Sequence, residues 1–547
     1  MNRRDFLKAG FVAAAAGQTG CTWPAWSVIP PWLPIKVIRA GMEMGHRTRD
    51  LRQLPKATTS QRVDTLIVGS GIAGLTAAWR LKQAGHTDVL MLDGPEWAGN
   101  ASAGVWPQTG LVYPRGAHYL PFPTPESSHV QTLLQDLAIS QPTTTDAVTG
   151  DSATRYQEQD TVFAPTERLW QNGQWHDSLI PQAPKGSVAA QQLQRFLGFV
   201  ESLKGQRGAD GRVIFAIPVV MSSQDPHWQA LDRLSFASWL KQQGYDAAEL
   251  LWFLDYSCKD DYGAGMATVS AWAGLHYFAS RVHECEQHDG APLLTWPDGL
   301  HHLAQRLAQR SQIKRLALTA LRIQSKSNTD GQGATVVAMD ATGHVTQIEA
   351  RRVVSAMPLH VLRHVWQGAA ELGLSRKTPL LPHVPWLVCN VWIDGVLREK
   401  HGAPLSWENI IYGSPSLGYV DATHQSLRGS AEPQTVMTCY HAITDRSPTD
   451  ARAWLQAASH AELLQVGLQD LLTAYGPALW GHVAGVEICV RGHAMSSPAV
   501  GSLYDPLLQR LRDVDGAVLL AHSDLSGYSV FEEASYWGWQ AAERVLG

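Results

Sequence analysis

The sequence is short of charge and of cysteine. Only 17% of its 547 residues are charged and the formal net charge is −5, so it offers neither the basic surface that binds nucleic acid nor a charge-rich disordered tail. The six cysteines (Cys21, Cys258, Cys285, Cys389, Cys439, Cys489) are scattered without a CxxC pair. That spacing argues against a zinc centre and against a dense disulfide framework, and leaves room for one or two bridges. Beyond the first twenty positions no apolar run approaches the ~20 residues that span a bilayer. Internal repeats and low-complexity tracts are also lacking. What is present is a 45% hydrophobic chain too long for one ordinary core, which points to two packed domains.

The opening Asn2-Arg3-Arg4-Asp5-Phe6-Leu7-Lys8 and the mildly apolar Ala9 to Gly20 read as a twin-arginine export signal over residues 1–21. The expectation is recognition by the twin-arginine machinery, export in the folded state and a periplasmic location. Cys21, after Gln18-Thr19-Gly20, could carry a lipid anchor, although Gln18 stands where an aliphatic residue is usual. Residues 22–61, rich in Pro, Trp and basic residues, read as an extended arm with no chemistry of its own.

Asp64 to Val68 reads as a buried strand, Ile72 to Ala84 as an amphipathic helix and Asp88 to Leu92 as a second buried strand. Between the first strand and the helix lies Gly69-Ser70-Gly71-Ile72-Ala73-Gly74. The glycines permit a tight turn, approach of backbone to a pyrophosphate and close helix-to-strand packing. The helix N-terminus then offers unpaired amides to phosphate. Asp93 follows the second strand, where an acid accepts from a ribose hydroxyl. This unit binds a dinucleotide; alone it leaves FAD and NAD open.

Residues 62–122 form the first part of this domain. Residues 123–289 turn helical, most clearly at Val188 to Leu203 and Ser235 to Tyr256, and read as the start of a substrate domain. Short β-like runs at Leu316 to Gln324, Ala334 to Asp340 and Arg352 to Ala356 return the chain to the nucleotide domain over 290–378. A second excursion covers 379–485. Residues 486–547 close the nucleotide domain with a strand at Ala517 to Ala521 and a helix at Glu533 to Leu546. The expected class is α/β: a Rossmann-like two-dinucleotide-binding-domain fold interleaved with a mixed α+β substrate domain.

Several blocks, in order, resemble the flavin-containing amine oxidase superfamily, with its protoporphyrinogen oxidase and phytoene desaturase-like relatives. They are the glycine fingerprint, Pro114-Arg115-Gly116-Ala117-His118-Tyr119-Leu120, Trp296-Pro297-Asp298-Gly299-Leu300, Arg352-Val353-Val354-Ser355-Ala356-Met357-Pro358, and Leu520-Ala521-His522-Ser523-Asp524 with Glu532-Glu533-Ala534. The resemblance implies FAD, with Gly116, Ala117 and His118 along the isoalloxazine, Ser523 or Asp524 (according to register) at the ribityl chain, and Glu533 and Ala534 at the helix start beneath the pyrimidine edge. It also implies where this chain departs. Pro385 to Val391 lacks the lysine usual near flavin N5, which favours an electron acceptor other than oxygen. Arg491-Gly492-His493-Ala494-Met495 lacks the covalent cysteine, so the FAD is expected to be non-covalent.

His118 is the candidate catalytic side chain, because an imidazole beside a flavin can exchange protons near neutral pH. His493 beside Arg491, and His522 beside Ser523, are second choices. His301 and His302 lie about 100° apart at a helix start and cannot share a metal by themselves, so no metal is expected. Lys259-Asp260-Asp261-Tyr262-Gly263 reads as a solvated turn whose paired acids could recognise a cation. Among the 21 tryptophans an aromatic cage for an ammonium group is one use, beside core packing. The leading expectation is oxidation of a small amine, a polyamine or amino-acid derivative, by hydride transfer to flavin. The alternatives are a dehydrogenase, desaturase or isomerase working at a carbon–carbon bond, and a flavoprotein that only relays electrons.

Overall fold

The computed structural model describes residues 29–142, 154–281, 292–326, 333–426 and 433–547. The export segment, Cys21 and Cys285 lie outside the described residues. Two large sheets organise the chain. One has seven strands: Lys314–Leu316, Val89–Leu92, Thr59–Val68 and Val345–Ser355 run in parallel, Ala334–Met339 and Thr319–Ser325 add an antiparallel edge, and Val518–Leu520 joins Val345–Ser355 in parallel. The strand Val89–Leu92 is buried at every position, as befits a parallel sheet covered on both faces. The helices Ile72–Gln83 and Phe531–Leu546 cover one face and meet where Gly538 of the second lies against the backbone of Ala73 in the first. A Cβ on Gly538 would lie 2.1 Å from the Ala73 carbonyl oxygen, so only glycine allows this approach.

The second sheet has eight strands in the order Ile35–Arg39, Val483–Ser496, His383–Asp394, Gln434–Ala442, Tyr419–Asp421, Glu408–Ile411, Glu167–Gln171 and Gln174–His176. Its central strand, His383–Asp394, is buried from His383 to Ile393. The helices Val188–Leu203, Ala248–Tyr262 and Ala271–Ala279 share a core with one face of it. The strand Val483–Ser496 is long enough to run from this sheet back to the seven-stranded one, which brings Arg491 to Ala494 to the junction between them.

Three expectations need correction. The arm is not merely extended: Ile35–Arg39 pairs in parallel with Val486 to Val490, and Met42–Asp50 is a helix. The helix expected over Ser235 to Tyr256 is two, Phe236–Gln242 and Ala248–Tyr262. The break falls at Gly244, whose φ of 70° takes the chain out of helical geometry. Lys259 to Gly263 is not a solvated turn but the last turn of the second helix, ended by Gly263 at φ 65°.

Candidate active site

At the junction of the two sheets lies a cavity of about 750 Å³. The glycine turn forms its floor: Gly69, Gly71, Ile72 and Ala73 line it. Gly74 does not. Its hydrogen points into the turn, where a Cβ would stand 2.0 Å from the Gly69 carbonyl oxygen, whereas a Cβ on Gly71 would meet nothing within 4 Å. One glycine closes the turn and the other leaves backbone open to a ligand. The helices Ile72–Gln83 and Phe531–Leu546 both start at this cavity, and neither has a side-chain cap at its N-terminus. Uncapped first-turn amides need partners, and a pyrophosphate or the electron-rich edge of a reduced flavin suits them. The cavity fits a flavin dinucleotide on these grounds.

Asp93 lines the same wall with its carboxylate already paired to Arg315 (Nε–Oδ1 2.9 Å, Nη2–Oδ2 3.1 Å), whose guanidinium lies 3.6 Å over the Trp97 ring. A carboxylate has about four lone-pair sites, so a ribose hydroxyl can still bond to it. Opposite, Arg491 holds Glu96 through Nη1 (3.0 Å) and Nη2 (3.1 Å) and donates from Nε to the Arg115 carbonyl at 2.9 Å. Arg115 in turn grips buried Glu487 at 2.6 and 2.8 Å, with Lys36 of the arm on the same carboxylate at 2.9 Å. Burial pushes the Glu487 carboxyl up, but Arg115 and Lys36 outweigh it and hold the group below its usual range. The arm therefore takes part in the site, and Met42, His46 and Arg49 of its helix line the cavity.

The remaining expected contacts divide. Ala117, Ser523, Asp524 and Ala534 line the cavity. The Asp524 carboxylate is committed to the wall, accepting from the Leu359 amide at 2.9 Å and lying 3.1 Å from His383 Nε2. Gly116 is not at the surface of the cavity; its carbonyl accepts from the Tyr440 hydroxyl at 3.1 Å. Glu533 is a correction. It is fully buried and turned away from the cavity, accepting from the Val219 amide at 2.6 Å and the Ser526 hydroxyl at 2.5 Å. His301 donates from Nδ1 to the Ala101 carbonyl at 3.0 Å, and His302 stacks on Trp296.

His118 stands behind Ala117, on the side of the eight-stranded sheet. Its ring stacks on Tyr440 (centroids 4.5 Å, 20° between planes) and lies 5.5 Å from Trp407. Burial drives its pKa down to about 3, so at neutral pH it is an uncharged imidazole rather than an acid. Around it the fold gathers charge that no local pattern announced. Tyr119 donates to Asp260 at 2.9 Å, and Tyr256 donates to Glu408 at 3.2 Å. Burial, then the neighbouring Asp261, pushes the Asp260 carboxyl up to about 6 against Tyr119 and Arg281. Burial, then the negative charge of Asp260 and Glu167, pushes Glu408 well above its usual range. His118, Tyr119, Asp260, Tyr277 and Glu408 keep some accessible surface although their groups are heavily desolvated. Two desolvated carboxyls thus stand beside aromatic side chains.

Asp260 was visible in the sequence as one of two adjacent acids, and its position in the last turn of a helix is what turns it inward. Glu408, Glu96 and the arm helix carried no motif. His493 and His522 both line the cavity, beside His360 and His383.

The fold has solved counterparts. A double mutant of putrescine oxidase superposes with a TM-score of 0.60 at 16% identity, covering 89% of this chain and 99% of that one. Cyclohexylamine oxidase from Brevibacterium oxydans IH-35A gives 0.58 at 17% identity, covering 88% and 98%. A CLA-producing fatty acid isomerase from P. acnes gives 0.56 at 15% identity, with coverage of 88% and 98%. Residues 72–546 match the family described as flavin containing amine oxidoreductase, and the chain, a flavin-dependent oxidoreductase, belongs to that family.

Proposed function

We propose that this enzyme binds FAD non-covalently in the cavity at the glycine turn and oxidises a small amine whose ammonium group is held by Asp260 and Glu408. The observation that carries the reading is the desolvated acid pair beside Tyr119, Tyr256 and Trp407, with Tyr119 two residues along the chain from the cavity-lining Ala117. Buried carboxyls are costly unless paired, and aromatic faces attract a desolvated cation. Bound FAD supplies the hydride acceptor. The chain's own groups do the rest. Asp260 and Glu408 orient the substrate nitrogen, the aromatic ring wall excludes water, and neutral His118 offers a hydrogen bond without adding a positive charge that would repel the substrate. Non-covalent binding is supported by the lining of the cavity, which among the described residues includes no cysteine.

The segment Pro385 to Val391 contains no lysine, which supports an acceptor other than oxygen. A polyamine or an amino-acid derivative suits two acids better than a simple monoamine. We further propose export through the twin-arginine machinery to the periplasm. Replacing Arg3 and Arg4 by lysine is expected to leave the protein in the cytoplasmic fraction. A second reading, reaction at a carbon–carbon bond, is supported by the likeness to the fatty acid isomerase, but an apolar chain would make no use of the acid pair.

Turnover with primary, secondary and polyamines tests the reading, using an artificial dye as acceptor and peroxide formation as the control. Dye reduction by a diamine with little peroxide is expected. Activity on an unsaturated fatty acid, with none on any amine, would establish the second reading instead.

A further inference from the structure

One wall of the flavin cavity holds a group of side chains that amine recognition does not use. His360 is the second residue of the helix Leu359–Val365, His383 opens the strand His383–Asp394, and Asp524 lies in the turn Ser523–Leu525. One donor atom from each falls within 4.8 Å of the other two. His383 Nδ1 faces the Leu381 carbonyl at 3.1 Å and must donate to it, while Nε2 faces an Asp524 carboxylate oxygen, also at 3.1 Å. A neutral His383 would thus direct a lone pair at a negatively charged oxygen. The contact needs a cation, either a second proton on the ring or a metal ion between the two atoms. His360 separates the choices. Its Nδ1 is sealed from solvent and has no hydrogen-bond partner among the described residues, and its ring centroid lies 4.8 Å from that of His383. A second proton on His383 gives that nitrogen nothing; a shared metal gives it a bond.

We propose that His360, His383 and Asp524 form a two-imidazole, one-carboxylate site for a divalent first-row transition metal such as zinc. Imidazole ligands favour zinc, copper or nickel over magnesium or calcium, which prefer all-oxygen shells. A metal about 2.0–2.2 Å from each ligand places donor atoms roughly 3–3.5 Å apart. The His383–Asp524 separation already meets this, and His360 closes the set by turning its side chain. His493, stacked on His360 with centroids 4.3 Å apart, stands in the same wall as a further donor. The metal would join the helix after the Ala356-Met357-Pro358 block, the central strand of the eight-stranded sheet and the turn before the closing helix, three segments that converge on the cavity.

The test uses the full chain purified with its flavin, stripped with a chelator, then supplied with zinc alone. One zinc retained per chain after gel filtration is expected, with at least a tenfold loss of affinity in His360→Ala. One equivalent of copper(II) added to the stripped wild type is expected to show imidazole nitrogen couplings by electron paramagnetic resonance, a readout that stands even if the variant folds poorly. No stoichiometric zinc, undiminished zinc binding in His360→Ala, or a copper signal without nitrogen couplings would each overturn the site. None of these measurements involves an amine, so the proposed function can fail while the metal site stands, and the reverse.

Discussion

The two ends of the site are built by different means. At the nucleotide end the recognising groups are backbone: a glycine turn, two uncapped helix starts and a tight contact at Gly538. At the substrate end they are side chains from segments remote in sequence, with Tyr119 meeting Asp260 and Tyr256 meeting Glu408. Backbone recognition needs a fixed local pattern, so it leaves a fingerprint in the sequence. Side-chain recognition needs only that the fold deliver the right groups to one place. The cofactor class is therefore readable from consecutive residues, whereas the substrate class depends on tertiary structure.

Changes on the two sides should have separable effects. The largest is expected for Gly74→Val, whose Cβ would stand 2.0 Å from the Gly69 carbonyl. Overpacking against side chains costs about 1–3 kcal/mol, and rigid backbone yields less, so the variant should lose its flavin absorbance and a large part of its thermal stability. Next come Asp260→Asn and Glu408→Gln. Removing one partner of a buried charge pair costs about 3–5 kcal/mol, which corresponds to a fall of roughly 10²–10⁴ in kcat/KM for an amine. Flavin content should be unchanged. Flavin loss in these variants would erase the distinction between the two ends.

The pH dependence sharpens it. Asp260, held protonated up to about 6, must ionise to pair with an ammonium ion. Amine affinity should therefore rise as pH increases through that value, and the rise should flatten in Asp260→Asn; a KM independent of pH between 5 and 8 would contradict the role. The smallest effect concerns Glu533. Burial pushes its carboxyl up to about 7 against hydrogen bonds from Ser526 and Val219, while an unfolded chain ionises glutamate near about 4.3. Between these values the folded state holds the extra proton, so its stability falls as pH rises, by about 1.4 kcal/mol per pH unit, and levels off above about 7. Glu533→Gln should remove that component, seen as a smaller drop in Tm between pH 5 and 8 than in the wild type.

Legibility followed the same division. The strand, turn and helix from Asp64 to Gly74 were readable because strand periodicity, glycine spacing and helix periodicity agree. The helix Val188–Leu203 was readable to the residue from its apolar spacing. Glu533 was misplaced because its neighbour Ala534 does line the cavity, and one step along a helix turns a side chain through about 100°. The arm was undervalued because the strand Ile35–Arg39 is short and pairs with residues more than four hundred positions away. Asp260 was read as solvated because adjacent acids usually are; only the packing of Tyr119 against the end of its helix shows otherwise.

The most direct test of the central claim is the absorbance spectrum of the purified protein under anaerobic conditions, before and after addition of a diamine, in the wild type and in Asp260→Asn. The account predicts an oxidised flavin spectrum in both proteins, bleached promptly by the diamine only in the wild type. A flavin that no amine reduces, or one reduced equally fast in both proteins, would contradict it.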